Sequence, residues 1–115
     1  MFFSSNLRIL LYTPVTDMRK SIDGLCYLVS EKLEENPSLG SIFVFCNRVR
    51  DKLKLLYWDG NGFCLLYKRL EKGRFQLPSN GQNLILNESD LRGLLEGINF
   101  QKIPKVKPLS CSVYC

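Results

Sequence analysis

Acidic side chains are the first candidates for chemistry in this sequence of 115 residues. A nuclease or strand-transfer enzyme would need several carboxylates to converge on magnesium ions, and the candidates are Asp17, Asp23, Asp51, Asp59 and Glu71. Simpler roles compete with this one: Asp17 can cap a helix, Asp59 suits a turn, and Glu71 adjoins a lysine. We therefore expect no catalytic residue and a protein that binds rather than catalyses.

Histidine is absent from the sequence, which excludes Ser-His and Cys-His nucleophiles and the commonest general base near neutral pH. Cys26, Cys46 and Cys64 lie within apolar runs, where a reduced thiol packs as a small core side chain. A zinc site would need ligand pairs a few residues apart, and the sequence has no Cys-x-x-Cys; only Cys111 and Cys115 are close. We expect no metal and no cofactor.

Positive charge is concentrated in one segment of the chain. Residues 47–75 carry eight cations against three carboxylates, so this segment alone accounts for the net charge of +5. Such asymmetry is typical of a surface that faces a polyanion, although ordinary solvated strands and turns could have the same composition. The predicted nucleic-acid-binding residues are Arg48, Arg50, Lys52, Lys54, Lys68, Arg69, Lys72 and Arg74.

Aromatic residues are interleaved with these charges. An exposed aromatic ring can stack on an unpaired base, and the two candidates are Trp58 and Tyr67. Packing in the core of a sheet is the competing fate for such rings.

Length and composition predict one α+β domain over residues 1–100, followed by a tail, 101–115, without assigned structure. Hydrophobic residues make up 45% and charged residues 23% of the chain, near globular averages. No apolar run approaches the ~18 residues that span a bilayer, so we expect a cytoplasmic protein without membrane contact.

Hydrophobic periodicity predicts a mainly antiparallel sheet of about five to six short strands, with a helix after strand 1 and a second short helix near the C-terminus. The first helix should run from Asp17 to about Glu35, capped by Thr16 or Asp17. The second should follow a cap at Asn87 or Ser89 and bury a stripe that reaches Ile98. The expected strands are 7–12, 42–46, 52–58, 63–70, 74–77 and 83–86, with 42–46 in the middle of the sheet.

The strongest local pattern is a β-hairpin. Its turn, residues 59–62 (DGNG), tolerates the positive φ angles that tight turns require. In its first strand Lys52 and Lys54 alternate with Leu53 and Leu55, so the two lysines should share one face and be presented together.

Several blocks of the sequence resemble the small accessory protein of the insertion sequence 66 family of bacterial mobile elements, often called TnpB or the second open reading frame product. The resemblance covers about residues 15–100 and is carried by blocks that occur in the same order as in the family. These blocks are 17–25 (DMRKSIDGL), 42–48 (IFVFCNR), 54–63 (KLLYWDGNGF), 67–75 (YKRLEKGRF) with Pro78, and 94–98 (LLEGI). The family usually has glycine in the place of Arg50, arginine in the place of Val49, and often tryptophan in the place of Leu66 and histidine in the place of Ser41.

The resemblance implies a protein that is encoded beside a transposase and assists transposition, without implying a chemistry. Three hypotheses follow. The first is a DNA-binding accessory protein that uses the basic hairpin surface, at the element's ends for example. The second is a protein-interaction subunit that docks on the transposase or self-associates through a sheet edge or the second helix. The third and weakest is the metal-dependent nuclease.

Overall fold

The computed structural model describes residues 8–77 and 83–96. This part of the chain contains five strands, two α-helices and one 3₁₀ turn. The strands are β1 (Ile9–Tyr12), β2 (Ile42–Cys46), β3 (Lys52–Trp58), β4 (Phe63–Arg69) and β5 (Leu84–Leu86). The helices are α1 (Ile22–Glu31) and α2 (Glu88–Leu95), and the 3₁₀ turn is Pro37–Leu39. The predicted tail, 101–115, and Ile98 lie outside the described residues.

The five strands form one sheet in the order β4-β3-β2-β1-β5. Strands β1 and β2 are parallel, and every other neighbouring pair is antiparallel. A parallel pair needs a crossover connection, which α1 provides. The structure therefore confirms the α+β class, the mainly antiparallel sheet and the central position of β2.

Each face of the sheet is covered by one helix. On the first face, here called the α1 face, Leu25 and Val29 of α1 pack against Phe43 and Phe45 of β2. On the second, the α2 face, Leu91 and Leu94 of α2 belong to a larger cluster that includes the inward-facing residues of β1, β2 and β3. Side chains alternate between faces along a strand, so β2 is buried over its whole length.

The first helix is shorter than predicted at both ends. It begins at Ile22 with Ser21 at its N-cap, rather than at Asp17, because the Asp17 carboxylate accepts hydrogen bonds from the backbone and the guanidinium group of Arg19. The preceding segment, residues 13–20, is instead attached to the end of β2, where the Thr16 backbone N–H donates to the Cys46 carbonyl at 2.9 Å.

The predicted strand 74–77 is wrong. This segment makes no ladder; the Phe75 backbone N–H donates to the carbonyl of Arg50 at 2.7 Å, and the Phe75 ring is buried on the α2 face. The alternation of apolar residues in this segment suggested a strand, but the segment is held by one buried ring and one backbone hydrogen bond instead.

The second helix begins as predicted, because Asn87 and Asp90 form a reciprocal capping box.

Candidate nucleic-acid interface

The turn between β2 and β3 is organised by Asn47. Its side-chain oxygen accepts hydrogen bonds from the backbone N–H groups of Asp51 and Lys52, at 3.1 and 3.0 Å, and its amide nitrogen donates to the Asp51 carboxylate at 2.7 Å. That last bond is the main cause of the lowered pKa of Asp51, which burial opposes. Residues 47–51 therefore form a defined turn rather than an open loop.

The chain that follows β4 returns to this turn. The Leu70 backbone N–H donates to the Asp51 carbonyl at 2.8 Å, and Phe75 bonds to the neighbouring Arg50. These two bonds bring residues 69–75 beside residues 47–52, at one end of the sheet. We call this region the basic end, and it carries Arg48, Arg50, Lys52, Arg69, Lys72 and Arg74.

Four of these cations are exposed and unpaired within residues 8–77 and 83–96: Arg48, Arg50, Lys72 and Arg74. The other two have acidic neighbours. Lys52 lies 3.4 Å from the Asp51 carboxylate, and Arg69 lies 2.9 Å from that of Glu71. The first pair is partly exposed and the second is exposed. Ion pairs that solvent reaches contribute little and exchange readily, so neither pair prevents a cation from meeting another anion.

Lys54 is on the predicted face but is not presented to solvent. Lys52 and Lys54 both lie on the α1 face, opposite Leu53 and Leu55 as expected. Lys54, however, is only 7% exposed, and its ammonium group donates to the backbone carbonyls of Met18 and Lys20 at 2.8 and 2.7 Å. The expectation that both lysines are presented together is thus wrong for Lys54, because the segment before α1 covers it.

Lys68 is also separated from the basic end. It pairs with Leu53 in the β3–β4 ladder and so lies on the α2 face. Its ammonium group donates to the carbonyl of Leu95, in the last turn of α2, where a positive charge is favourable to the helix dipole. We therefore assign Lys68 a role in holding α2 on the sheet.

The two candidate stacking residues are far apart. Tyr67 is 53% exposed and pairs with Lys54, next to the Lys52–Arg69 pair on the same face. Trp58 is half-buried and contacts the ring of Phe63 edge to face, with the centroids 4.9 Å apart. Six residues of strand, roughly 20 Å, separate Trp58 from Lys52, so only Tyr67 lies near the basic end.

An open groove of about 380 Å³ adjoins the basic end. It lies between the segment before α1 and the β2–β3 turn, and it brings Arg19 close to Arg48 and Lys52. Sequence reasoning missed Arg19 because it precedes the basic segment by almost 30 residues. The only signal was the Arg19-Lys20 dipeptide, which directly precedes the first helix.

Arg19 is held by the carboxylate of Asp17. Its guanidinium group donates to both oxygens, with the shortest contact at 2.6 Å, yet its side chain remains 91% exposed. The hydrogen bonds from Arg19 lower the pKa of Asp17 from 3.8 to about 2. An exposed arginine already bound to a carboxylate is suited to exchange it for a phosphate oxygen, since both anions accept the same paired hydrogen bonds.

The described residues also bear on metal binding, thiol chemistry and membrane insertion. Across residues 8–77 and 83–96, no group of three or more acidic or cysteine side chains is placed to hold a metal ion. Burial raises the pKa of the Cys46 thiol to about 11, and Cys26 and Cys64 are free thiols. Neither helix of the described part is long and apolar enough to cross a membrane.

Comparison with known proteins shows the family to which the chain belongs. The sequence profile of the family described as IS66 Orf2 like protein matches residues 7–105. The chain belongs to the IS66 Orf2-like family.

Two proteins of Sinorhizobium fredii are similar to this chain over most of their length. The uncharacterized protein y4hO is 40% identical over 97 residues, which are 84% of each chain. The uncharacterized protein y4jC is 35% identical over 107 residues, 92% of this chain and 91% of the relative. No solved structure matches the chain.

Membership of the IS66 Orf2-like family identifies the chain as an accessory protein of a transposable element. It also explains one feature of the turn. Arg50 has a φ of 64°, in the left-handed region that favours glycine, which is the residue that the resemblance described above implies for this place. The turn thus keeps the backbone shape that a glycine would allow, while it carries an additional cation.

Proposed function

We propose that this protein is a non-catalytic accessory factor of transposition that binds DNA through its basic end. One observation supports this proposal above all. The β2–β3 turn and residues 69–75 gather six cations at one end of the sheet. Of these six, only Lys52 and Arg69 have an acidic partner among the described residues.

The chemistry of such a surface favours phosphate. Lysine and arginine displace condensed counterions from DNA, and this release gives affinity that does not depend on base sequence. Backbone bonds fix the positions of the two segments that carry the cations, so little conformational order has to be created on binding. The basic end is therefore suited to hold DNA without reading its sequence.

The non-catalytic part of the proposal rests on what the carboxylates contact. Asp17 is bound to Arg19, Asp51 to the side chain of Asn47, and Glu71 to Arg69. Three of the five candidate carboxylates thus have a local structural partner, whereas two-metal catalysis requires carboxylates that share an ion.

A second candidate function is docking to the transposase or self-association. Strand β4 supports it, because β4 is seven residues long and ends the sheet, with β3 as its neighbour on one side. Strands at a sheet edge readily pair with another chain. Co-purification of the transposase from a nuclease-treated lysate would favour this role, and loss of the complex on that treatment would indicate that DNA bridges the two proteins.

Charge removal at the basic end tests DNA binding directly. We expect the double variant Arg48→Gln/Arg74→Gln to bind a duplex from the element's end at least about tenfold more weakly than wild type at moderate salt, since it removes two phosphate contacts. The matched control is Arg8→Gln/Lys32→Gln, which removes the same charge near Glu35, at the opposite end of the sheet. Equal loss in both variants, measured by fluorescence anisotropy, would refute a localised site.

A further inference from the structure

We propose that the groove beside the basic end is a binding site for an unpaired DNA strand. This inference rests on the proposed DNA binding and adds the kind of DNA that the groove accepts. The groove combines three cations, Arg19, Arg48 and Lys52, with an apolar part formed by Val15, Met18 and Val49. The Asp17 carboxylate also lines it and pairs with Arg19.

The cations of the groove come from three separate parts of the chain. Arg19 lies before α1, Arg48 in the β2–β3 turn and Lys52 at the start of β3. Two contacts hold these parts together: Thr16 bonds to the Cys46 carbonyl, and Lys54 binds the carbonyls of Met18 and Lys20. The fold thus places cations on both walls of the groove.

The apolar part of the groove distinguishes an unpaired strand from a duplex. Val15 is 54% and Val49 is 49% exposed, although both lie among cations. A duplex presents phosphates and sugars on its outside and keeps the faces of its bases stacked inside. An unpaired base offers an apolar face together with its phosphate, so it can cover both valines while Arg19 and Arg48 hold the backbone.

Tyr67 extends the same surface. It lies on the α1 face, about 7 Å along the strand from the Lys52–Arg69 pair, and the Lys54 ammonium group lies 5.0 Å from the centroid of its ring. Because Lys54 also binds Met18 and Lys20, the ring lies beside the segment that forms one wall of the groove. A second unpaired base could stack on Tyr67. A duplex offers no free base face for this contact. An acidic protein segment would match the charges, and the experiment below distinguishes it from an unpaired strand.

The test compares two DNA forms and two double variants of the full chain. The ligands are a fluorescent twelve-nucleotide oligothymidylate and its duplex with oligodeoxyadenylate. Variant Val15→Ser/Val49→Ser removes the apolar part of the groove and leaves every charge in place. The matched control, Leu39→Ser/Ile85→Ser, replaces two other exposed aliphatic residues that lie outside the groove. Thermal unfolding of each variant verifies that it is folded.

We expect the groove variant to lose about tenfold in affinity for oligothymidylate and less than about twofold for the duplex, with the control unchanged. Equal loss for both DNA forms, or no loss for either while wild type binds DNA, would overturn the groove as a site for an unpaired strand. So would displacement of oligothymidylate from the groove by polyglutamate at an equal concentration of charges, which would indicate an acidic protein partner. If wild type bound neither DNA form, the proposed function itself would fail.

Discussion

Cations with similar positions in the sequence have different tasks in the folded protein. Lys52 and Lys54 are two residues apart on one strand, yet the ammonium group of Lys54 is enclosed by backbone carbonyls while that of Lys52 faces the groove. Arg69 and Lys68 are adjacent and lie on opposite faces of the sheet. Availability for phosphate is therefore decided residue by residue, by the contacts that each side chain already makes.

The Asp17 carboxylate competes with a phosphate group for the guanidinium group of Arg19. Its pKa in the folded protein, about 2, lies below the ordinary value of 3.8. The ion pair therefore contributes to stability above about pH 4, and this contribution is lost as the pH falls toward 2. At neutral pH the carboxylate is fully ionised and occupies the guanidinium group that a phosphate would need.

Replacement of this carboxylate should strengthen DNA binding. We expect Asp17→Asn to raise the affinity for oligothymidylate about threefold at neutral pH, because it frees Arg19 and removes a negative charge from the groove. The asparagine oxygen can still accept the backbone N–H of Arg19, so the local turn is kept. A Glu88→Gln variant, which releases Arg92 on α2 instead, is the control. Unchanged or weaker binding by Asp17→Asn would show that Arg19 does not contact DNA.

At the scale of elements, Lys54 fixes the segment between β1 and α1 onto the sheet. This segment carries Arg19 and forms one wall of the groove. Another attachment of the segment is the bond from the Thr16 backbone N–H to the Cys46 carbonyl. The buried ammonium group thus acts on the site through the position of the segment rather than through contact with DNA.

Substitution of Lys52 and Lys54, one at a time, should show that Lys54 stabilises the fold and that Lys52 contacts DNA. We expect Lys54→Met to lower the free energy of unfolding by about 1–3 kcal/mol, because two carbonyl groups lose their donor. The salt dependence of DNA affinity should stay as in wild type. Lys52→Met should do the reverse, with little effect on stability and a slope of log affinity against log salt reduced by about 0.9. Chemical denaturation and salt titration measure the two effects; a reduced slope in Lys54→Met would contradict its assignment.

The elements that the sequence predicted well are those with strong local signals. The turn residues Asp59 to Gly62 set the hairpin between β3 and β4, and Asn87 with Asp90 sets the start of α2. The start of α1 could not be predicted from a local signal. An aspartate at position 17 can either cap a helix or bind the nearby Arg19, and the sequence does not distinguish these two roles. The groove could not be predicted either, because it depends on tertiary contacts such as that between Lys54 and Met18, which join residues distant in sequence.

At the scale of the whole molecule, the two ends of the sheet, taken along the direction of its strands, differ in charge. The basic end lies beyond Cys46, at the C-terminal end of β2. At the N-terminal end of β2, the backbone N–H of Ile42 donates to the backbone carbonyl of Arg8. The guanidinium group of Arg8 is paired there with the Glu35 carboxylate. A charge asymmetry of this kind orients a polyanion toward one end of the protein before contact. One end of the sheet is therefore the proposed DNA-binding surface, and both helices support the sheet.

The salt dependence of DNA affinity tests this account most directly. The six cations of the basic end should each displace about one counterion from a duplex, because Lys52 and Arg69 can exchange their acidic neighbours for phosphate. Log affinity of wild type should therefore fall with log salt with a slope of about −5.4, and of about −3.6 in Arg48→Gln/Arg74→Gln. Arg8→Gln/Lys32→Gln should keep the slope of wild type. A wild-type slope near zero, or the same slope in all three proteins, would contradict phosphate contact by the basic end.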